Sequence, residues 1–351
     1  MRAEAAAEVL VGTGAFGRTA LGWISHAERS TSRLYQRLSP MELHLFKTLW
    51  GHTGSLDEAI SSAQQHNLNG LEGPAPSTSA NRRDFRNHLS DAGLDYIAEI
   101  CTAGSYVPDR RASPGEHLDD FRRKAEAALE CTPLFLTVIA GCDAWPYAIS
   151  AEFFASALAT TEALHITASF ETHRSRSMFN PWITRDLLHE LPALRLTCDF
   201  SHWCCVCERL IDTEPDVLAL CAERVHHIHA RVGYDQGPQV PHPAAPEYRA
   251  ALEAHESWWD QLWAEQAARS FAVSTMTPEF GPDGYLHCIP FTNEPVANLI
   301  EINAWMAARQ RARFHTWSDS NLANENLASR ARNSSHNLPA PPRLRRESSR
   351  P

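Results

Sequence analysis

Short apolar runs alternate with longer amphipathic stretches through the middle of the chain. The first run, LHLFKTLW (43–50), precedes a stretch opened by Ser55 with Glu58 three residues on, a capping-box pattern that predicts a helix start. The last run, FAVSTMTPEFG, precedes a helix predicted over 294–313. The runs between them are LNGLEG, LDYIAEICTAG, PLFLTVIAG, HITASFETH, LRLTCDFSH and VHHIHARVG. Eight strand–helix units predict an α/β protein with a closed (β/α)8 TIM barrel, because strands that alternate with helices form parallel sheets.

The two ends of the chain differ from this pattern. We predict a barrel over 41–316, a weakly structured N-terminal extension over 1–40 and a disordered basic tail over 317–351. The tail is rich in Asn, Ser, Pro and Arg and poor in large apolar residues, so it has little surface to bury.

Composition excludes several classes of protein. The net charge is −10, whereas binding to nucleic acid needs a basic surface. No apolar run is long enough to cross a bilayer. Nine cysteines, an odd number, favour free thiols in a reducing compartment, and we predict a cytoplasmic protein. A mitochondrial presequence is the alternative, opposed by the acidic Glu4, Glu8 and Glu28. The sequence leaves a homodimer open.

Four residues of metal-ligand type lie at the ends of four successive predicted strands. They are Glu171, Asp199, His229 and Glu279, at intervals of 28, 30 and 50 residues. The first two intervals match one strand–helix unit, and the third is one unit enlarged by a loop. Because the carboxyl ends of barrel strands meet at one mouth, we expect these side chains to converge. Three carboxylates and one imidazole predict a site for one divalent cation, with Mn²⁺, Mg²⁺, Co²⁺ and Zn²⁺ all open.

Strand parity extends the polar character of this region. His227 and Arg231 share a strand face with His229, while Thr275 and Thr277 share one with Glu279. These faces predict a barrel lumen that becomes polar towards its mouth.

These residues carry a resemblance to a known superfamily. ETHRSR, LTCDFSHW, HIHARVG and PEFGP, taken in order, resemble the xylose-isomerase-like TIM barrels over roughly residues 41–314. That superfamily includes sugar and sugar phosphate isomerases, ketose 3-epimerases and metal-dependent AP endonucleases. The resemblance implies that Glu171, Asp199, His229 and Glu279 hold the metal. It also implies that His202, three residues after Asp199, contacts the substrate or, as in the endonucleases, a further zinc ion.

The implied activity is isomerisation or epimerisation of a sugar or sugar phosphate. Such a reaction removes a proton beside a carbonyl and passes through an enediolate, so Glu171 and Glu279 are expected to be the acid/base pair. Arg231 resembles a substrate-binding group of the superfamily. Glu72 and Trp50 end predicted strands and are expected to contact substrate, with a salt bridge inside the barrel and an apolar wall as the respective alternatives.

One departure bears on activity. Endonuclease-type members use further histidines from strands three and four, but Ile139 stands at the end of strand four here. This argues against phosphodiester cleavage. The remaining alternatives are an AP-endonuclease-like repair hydrolase and a catalytically degenerate binding barrel.

Overall fold

The strands form the predicted barrel. The computed structural model describes residues 41–282 and 284–335, with side chains as far as Asn321. Eight parallel strands pair in the order β1 to β8, and β8 closes the barrel by pairing with β1. The strands are β1 (Glu42–Thr48), β2 (Gly70–Gly73), β3 (Asp95–Cys101), β4 (Leu136–Ile139), β5 (Ala168–Glu171), β6 (Leu196–Cys198), β7 (Val225–His229) and β8 (Val273–Thr277). The prediction of a (β/α)8 barrel is confirmed.

Helices connect the strands along the outside of the barrel. Those described are α1 (Leu56–Gln65), α2 (Ser79–Ala92), α3 (Pro114–Leu129), α4 (Tyr147–Ala163), α5 (Pro181–Glu190), α6 (Ser201–Val206), α7 (Pro215–Arg224), α8 (Arg249–Ala268) and α9 (Leu299–Ser335). The predicted capping box is present at α1, where Ser55 accepts a hydrogen bond from the Glu58 N–H and the Glu58 carboxylate accepts one from the Ser55 N–H. Helix α2 ends at Gly93, whose positive φ of 66° gives the left-handed C-cap that glycine adopts without strain.

The last helix continues past the predicted end of the barrel domain. Helix α9 runs to Ser335, so the tail predicted to be disordered from residue 317 begins inside a helix. Aromatic contacts with α8 extend past residue 316: the Trp263 ring centre lies 5.1 Å from that of Phe314 and 5.8 Å from that of Trp317. The extension predicted over 1–40 and the tail from 336 lie outside the described residues.

The barrel lumen is polar, as strand parity predicted. The Thr197 hydroxyl donates to Ser169 Oγ at 2.8 Å, and Thr137 Oγ1 is 3.3 Å from Thr197 Oγ1. Towards β8, His227 Nδ1 is 2.8 Å from Thr275 Oγ1. These buried groups satisfy one another, which limits the cost of removing them from water.

Charged contacts also join the outer helices. Glu256 on α8 is buried and accepts hydrogen bonds from Arg309 at 2.6 and 2.9 Å and from Gln310 at 3.0 Å.

Among the residues that the structure describes, no helix combines the length and apolarity needed to cross a membrane.

Candidate active site

The structure brings the four predicted ligands together at the carboxyl ends of β5 to β8. Glu171 and His229 are the last residues of β5 and β7, Asp199 directly follows β6, and Glu279 lies two residues beyond β8. All four are buried, and one donor atom from each lies within 4.8 Å of the others. Their convergence follows from the closed sheet, because parallel strands deliver their ends to one mouth.

The donor atoms fit a divalent cation. Both carboxylate oxygens of Glu171 and Nδ1 of His229 are buried and make no hydrogen bond among the described residues. A buried polar atom without a partner costs about 1–3 kcal/mol, and a charged one costs more. Three carboxylates with one imidazole form a mainly oxygen-donor set that suits Mg²⁺, Mn²⁺, Co²⁺ or Zn²⁺. These residues could therefore hold one such ion.

The electrostatics of this group favour a positive charge at its centre. Burial raises the pKa of Glu171 to about 7 and also raises the pKa of Asp199. Burial alone would lower the pKa of His229. The carboxylates of Glu279, Glu72 and Glu171 nevertheless raise this pKa well above its usual range. His229 Nδ1 lies 2.9 Å from Glu279 Oε2 and 3.6 Å from Glu171 Oε1.

Arg231 lies beside this group and fixes Asp199. It donates hydrogen bonds to Asp199 Oδ2 and, at 3.0 Å, to the hydroxyl oxygen of Ser201. Ser201 in turn donates to Asp199 Oδ1 through both its hydroxyl and its backbone N–H. The guanidinium also lies 4.9 Å from the ring centre of Tyr285 and 5.5 Å from that of Trp50. Arg231 thus forms part of the wall between the carboxylates and the cavity.

A cavity of about 530 Å³ opens onto Glu171, Glu279 and Arg231. This volume is typical of small-molecule sites. Trp50, predicted to contact substrate, lies on the wall and meets Tyr285 edge-on with ring centres 4.7 Å apart. Trp50 fits there because Gly281 leaves room for it: a Cβ at Gly281 would lie 2.1 Å from the indole.

The loop after β3 completes the wall and is held by a buried arginine. Arg176 donates to the carbonyl oxygens of Thr102 at 2.7 Å, Gly141 at 3.1 Å and Tyr106 at 3.1 Å, and also to that of Ser105. Tyr106 itself lines the cavity, with its ring centre 5.9 Å from that of Tyr285.

His202 and Glu72, also predicted to contact substrate, do not line the cavity. His202 is fully buried between Glu171 Oε1 at 3.5 Å and Asp199 Oδ2 at 3.6 Å, and its ring centre is 3.9 Å from that of His173. Glu72 is also fully buried, and the structure places it between two imidazoles inside the barrel rather than on the cavity wall. The alternative left open for Glu72, a charged contact within the barrel, describes its position.

Glu99 is a cavity residue for which the sequence indicated only a place near the end of a strand, where a wall position and a contact with substrate are equally expected. Burial first, and then the carboxylates of Glu279, Glu72 and Glu171, raise its pKa to about 8. At neutral pH it is mainly a neutral carboxylic acid that can donate a hydrogen bond into the cavity. It lies two residues before the end of β3.

The remaining wall residues bear on the endonuclease alternative. Ile139 lines the cavity at the end of β4, where further metal-binding histidines would be needed. Of the cations on the wall, Arg82 pairs with Glu130 at 2.9 Å, and Lys124, at 2.7 Å, shares Asp120 with Arg123. These carboxylates offset most of the positive charge, whereas binding to DNA requires a free basic surface.

Solved structures of known proteins share the fold of this chain. An L-ribulose 3-epimerase matches with a TM-score of 0.54 and 11% identity, over 82% of this chain and 98% of its own. A D-allulose 3-epimerase from Methylomonas sp. has a TM-score of 0.51 and 11% identity, over 78% and 99%. The probable 3-DHS dehydratase from Bacillus anthracis has a TM-score of 0.50 and 15% identity, over 76% and 97%. No protein-family model and no curated protein sequence matches the chain.

The chain therefore has the fold of the xylose-isomerase-like TIM barrels, as the sequence motifs indicated. Identities of this size establish the fold alone. Activity must be argued from the site.

Proposed function

We propose that this protein is a divalent-metal-dependent isomerase or epimerase of a sugar or sugar phosphate. The observation that carries the proposal is the buried group Glu171, Asp199, His229 and Glu279 at the end of a cavity large enough for a monosaccharide. The 3-epimerases that share the fold act on sugars of this size, which supports the same substrate class here.

Glu171 and Glu279 are the proposed acid/base pair. Each borders both the cavity and the metal-ligand group, so each can reach a carbon placed between them. One carboxylate removes the proton beside the substrate carbonyl, and the other, which must be protonated beforehand, donates its own proton to the opposite face or to the neighbouring carbon.

The other residues of the site hold the substrate and its charge. A divalent cation held by the four ligands would act as a Lewis acid that stabilises the negative charge of the enediolate. Trp50 and Tyr285 add an aromatic wall to the cavity, and neutral Glu99 can donate to a hydroxyl or carbonyl oxygen. Arg231 keeps Asp199 oriented and supplies a positive charge at the wall.

The test is proton exchange with solvent. Protein supplied with Mn²⁺ is incubated in D₂O with ketohexoses, ketopentoses, inososes and their phosphates, and ¹H NMR follows the signal of the carbon beside the carbonyl. We expect metal-dependent loss of that signal for at least one substrate. Glu171→Gln and Glu279→Gln should each lower the rate about 10²–10⁴-fold, the usual contribution of a positioned acid or base.

Glu247→Gln is the matched control, because it makes the same carboxylate-to-amide change at an exposed position in the loop after β7. It should exchange at the rate of the unmodified protein. If no sugar exchanges although Mn²⁺ binds, the proposed reaction is wrong. Metal-dependent cleavage of abasic-site DNA, lost in Glu279→Gln, would support the hydrolase instead.

A further inference from the structure

Glu72 occupies an unusual position for a carboxylate. It lies on β2 inside the barrel, with no exposed surface, and does not border the cavity. Each carboxylate oxygen faces a different imidazole on β7: Oε1 is 3.2 Å from His229 Nε2, and Oε2 is 3.1 Å from His227 Nε2. An ionised carboxylate accepts hydrogen bonds but cannot donate them, so Nε2 of His227 and Nε2 of His229 must both carry protons.

The surroundings of His227 agree with this proton arrangement. Its Nδ1 lies 2.8 Å from Thr275 Oγ1, and a threonine hydroxyl can donate to a ring nitrogen. With Nδ1 accepting, the proton of His227 lies on Nε2, directed at Glu72. His227 and Thr275 therefore hold one side of the carboxylate and leave the other side for His229.

We propose that Glu72 is a positioning residue for the metal ligand His229. By accepting a hydrogen bond from Nε2–H, it keeps that proton away from Nδ1 and directs Nδ1 towards Glu171 and Glu279. Nδ1 is the ring nitrogen that is buried without a hydrogen bond and lies 2.9 Å from Glu279 Oε2. This inference rests on the proposed function, since it assigns Nδ1 to the metal. Outer partners of this kind typically change metal affinity about 10–100-fold when removed.

The first measurement is Mn²⁺ affinity, followed by the EPR signal of free Mn²⁺. Glu72→Met replaces the carboxylate with an apolar side chain of similar length, and we expect about 10–100-fold weaker binding. Glu72→Gln should recover most of the loss. Its amide oxygen can accept from His229, and its NH₂ can donate to His227 Nε2 once the His227 proton moves to Nδ1 and donates to Thr275. If the negative charge of Glu72, and not its hydrogen bonds, supported metal binding, Glu72→Gln would bind Mn²⁺ as weakly as Glu72→Met.

A second measurement reads the proton positions directly. In protein loaded with diamagnetic Zn²⁺, ¹⁵N NMR of the imidazoles should show His229 protonated at Nε2 only. In Glu72→Met the Nε2–H signal should lose the shift caused by its hydrogen bond, and in Glu72→Gln it should keep it. A His229 protonated at Nδ1 in the Zn²⁺-loaded unmodified protein would overturn the inference.

Glu256→Met is the matched control, because Glu256 is another buried carboxylate but lies between α8 and α9, bonded to Arg309. It should lower the melting temperature and leave Mn²⁺ affinity unchanged. Should Glu72→Met not fold, Glu72→Asp carries the test, since its shorter carboxylate reaches His229 less well and should give a smaller loss in the same direction.

The outcomes separate this inference from the proposed function. Equal Mn²⁺ affinity in Glu72→Met and unmodified protein would refute the positioning role and leave the isomerase proposal intact. A binding ratio of two Mn²⁺ ions that falls to one in Glu72→Met would also refute it, because Glu72, His227 and His229 would then form a second metal site. Normal Mn²⁺ results without any proton exchange would refute the proposed reaction alone.

Discussion

Acidification should destabilise this protein through His255, a buried residue of α8. Both of its ring nitrogens are committed in the neutral form. Nδ1–H donates to the Ala251 carbonyl at 2.9 Å, and Nε2 accepts from the Gly233 N–H at 3.3 Å. Protonating Nε2 would set one N–H against another in a site without solvent, so the folded protein resists taking up this proton.

The size of the effect follows from the pKa. Burial lowers the pKa of His255 from its usual 6.5 to about 4. A pKa difference of 1 corresponds to about 1.4 kcal/mol, so this decrease corresponds to about 3 kcal/mol. Because the unfolded chain binds the proton first, stability is complete above pH 6.5 and is lost as the pH falls towards 4. About 2 kcal/mol of the loss should appear between pH 7 and pH 4.5.

The assay is urea unfolding at pH 7 and at pH 4.5, with EDTA present, for the unmodified protein and His255→Gln. Burial also lowers the pKa of His117 and of His226 to about 4, but these residues are present in both proteins and their effects cancel. Glutamine cannot take up a proton, so His255→Gln should lose about 2 kcal/mol less on acidification, whatever its stability at pH 7. Equal losses in the two proteins would refute the reasoning.

Three further predictions concern other parts of the molecule. Removing Mn²⁺ with a chelator should lower the melting temperature. When Mn²⁺ is at 100 times its dissociation constant, the loss corresponds to about 2.7 kcal/mol, and an unchanged calorimetric midpoint would contradict the metal site. Arg176→Lys cannot reach all the carbonyls that the guanidinium now holds, so we expect the substrate KM to rise several-fold with kcat less affected, in steady-state assays of the substrate found by proton exchange. Trp317→Ala should cost about 1–2 kcal/mol by removing the contact with Trp263 and Phe314, whereas Ser320→Ala on the same helix should leave the thermal midpoint within about a degree.

The sequence was most informative where the position of a residue follows from the order of the strands. Alternating apolar and amphipathic stretches are a local signal, so the eight units and the convergence of Glu171, Asp199, His229 and Glu279 could be predicted. The carboxyl ends of the barrel strands all lie at one mouth, so polar residues at those ends are expected to lie close together.

Depth inside the barrel could not be predicted in the same way. Glu72 lies one residue before the end of β2, and its register opposite Thr48 and Ile97 decides whether it faces the cavity or the lumen. Its partner His229 is 157 positions away in the chain. Such long-range pairing leaves no local pattern, and the same is true of Glu99 and its neighbouring carboxylates.

The continuation of α9 past residue 316 could not be predicted for a related reason. Composition after residue 316 resembles a disordered segment, but one aromatic residue, Trp317, packs on a tryptophan of α8 that is 54 positions earlier. A single tertiary contact of this kind outweighs a local composition that is otherwise poor in apolar residues.

The crowding of buried carboxylates at the barrel mouth has an evolutionary consequence. Glu171, Asp199 and Glu279 lie close together out of water, an arrangement that works against folding unless an ion offsets their repulsion. In a lineage that no longer used the site, a substitution that neutralised any one of them would make the barrel more stable, so such substitutions would spread without penalty. The proposed metal-dependent function therefore predicts that relatives with the same activity keep all three carboxylates.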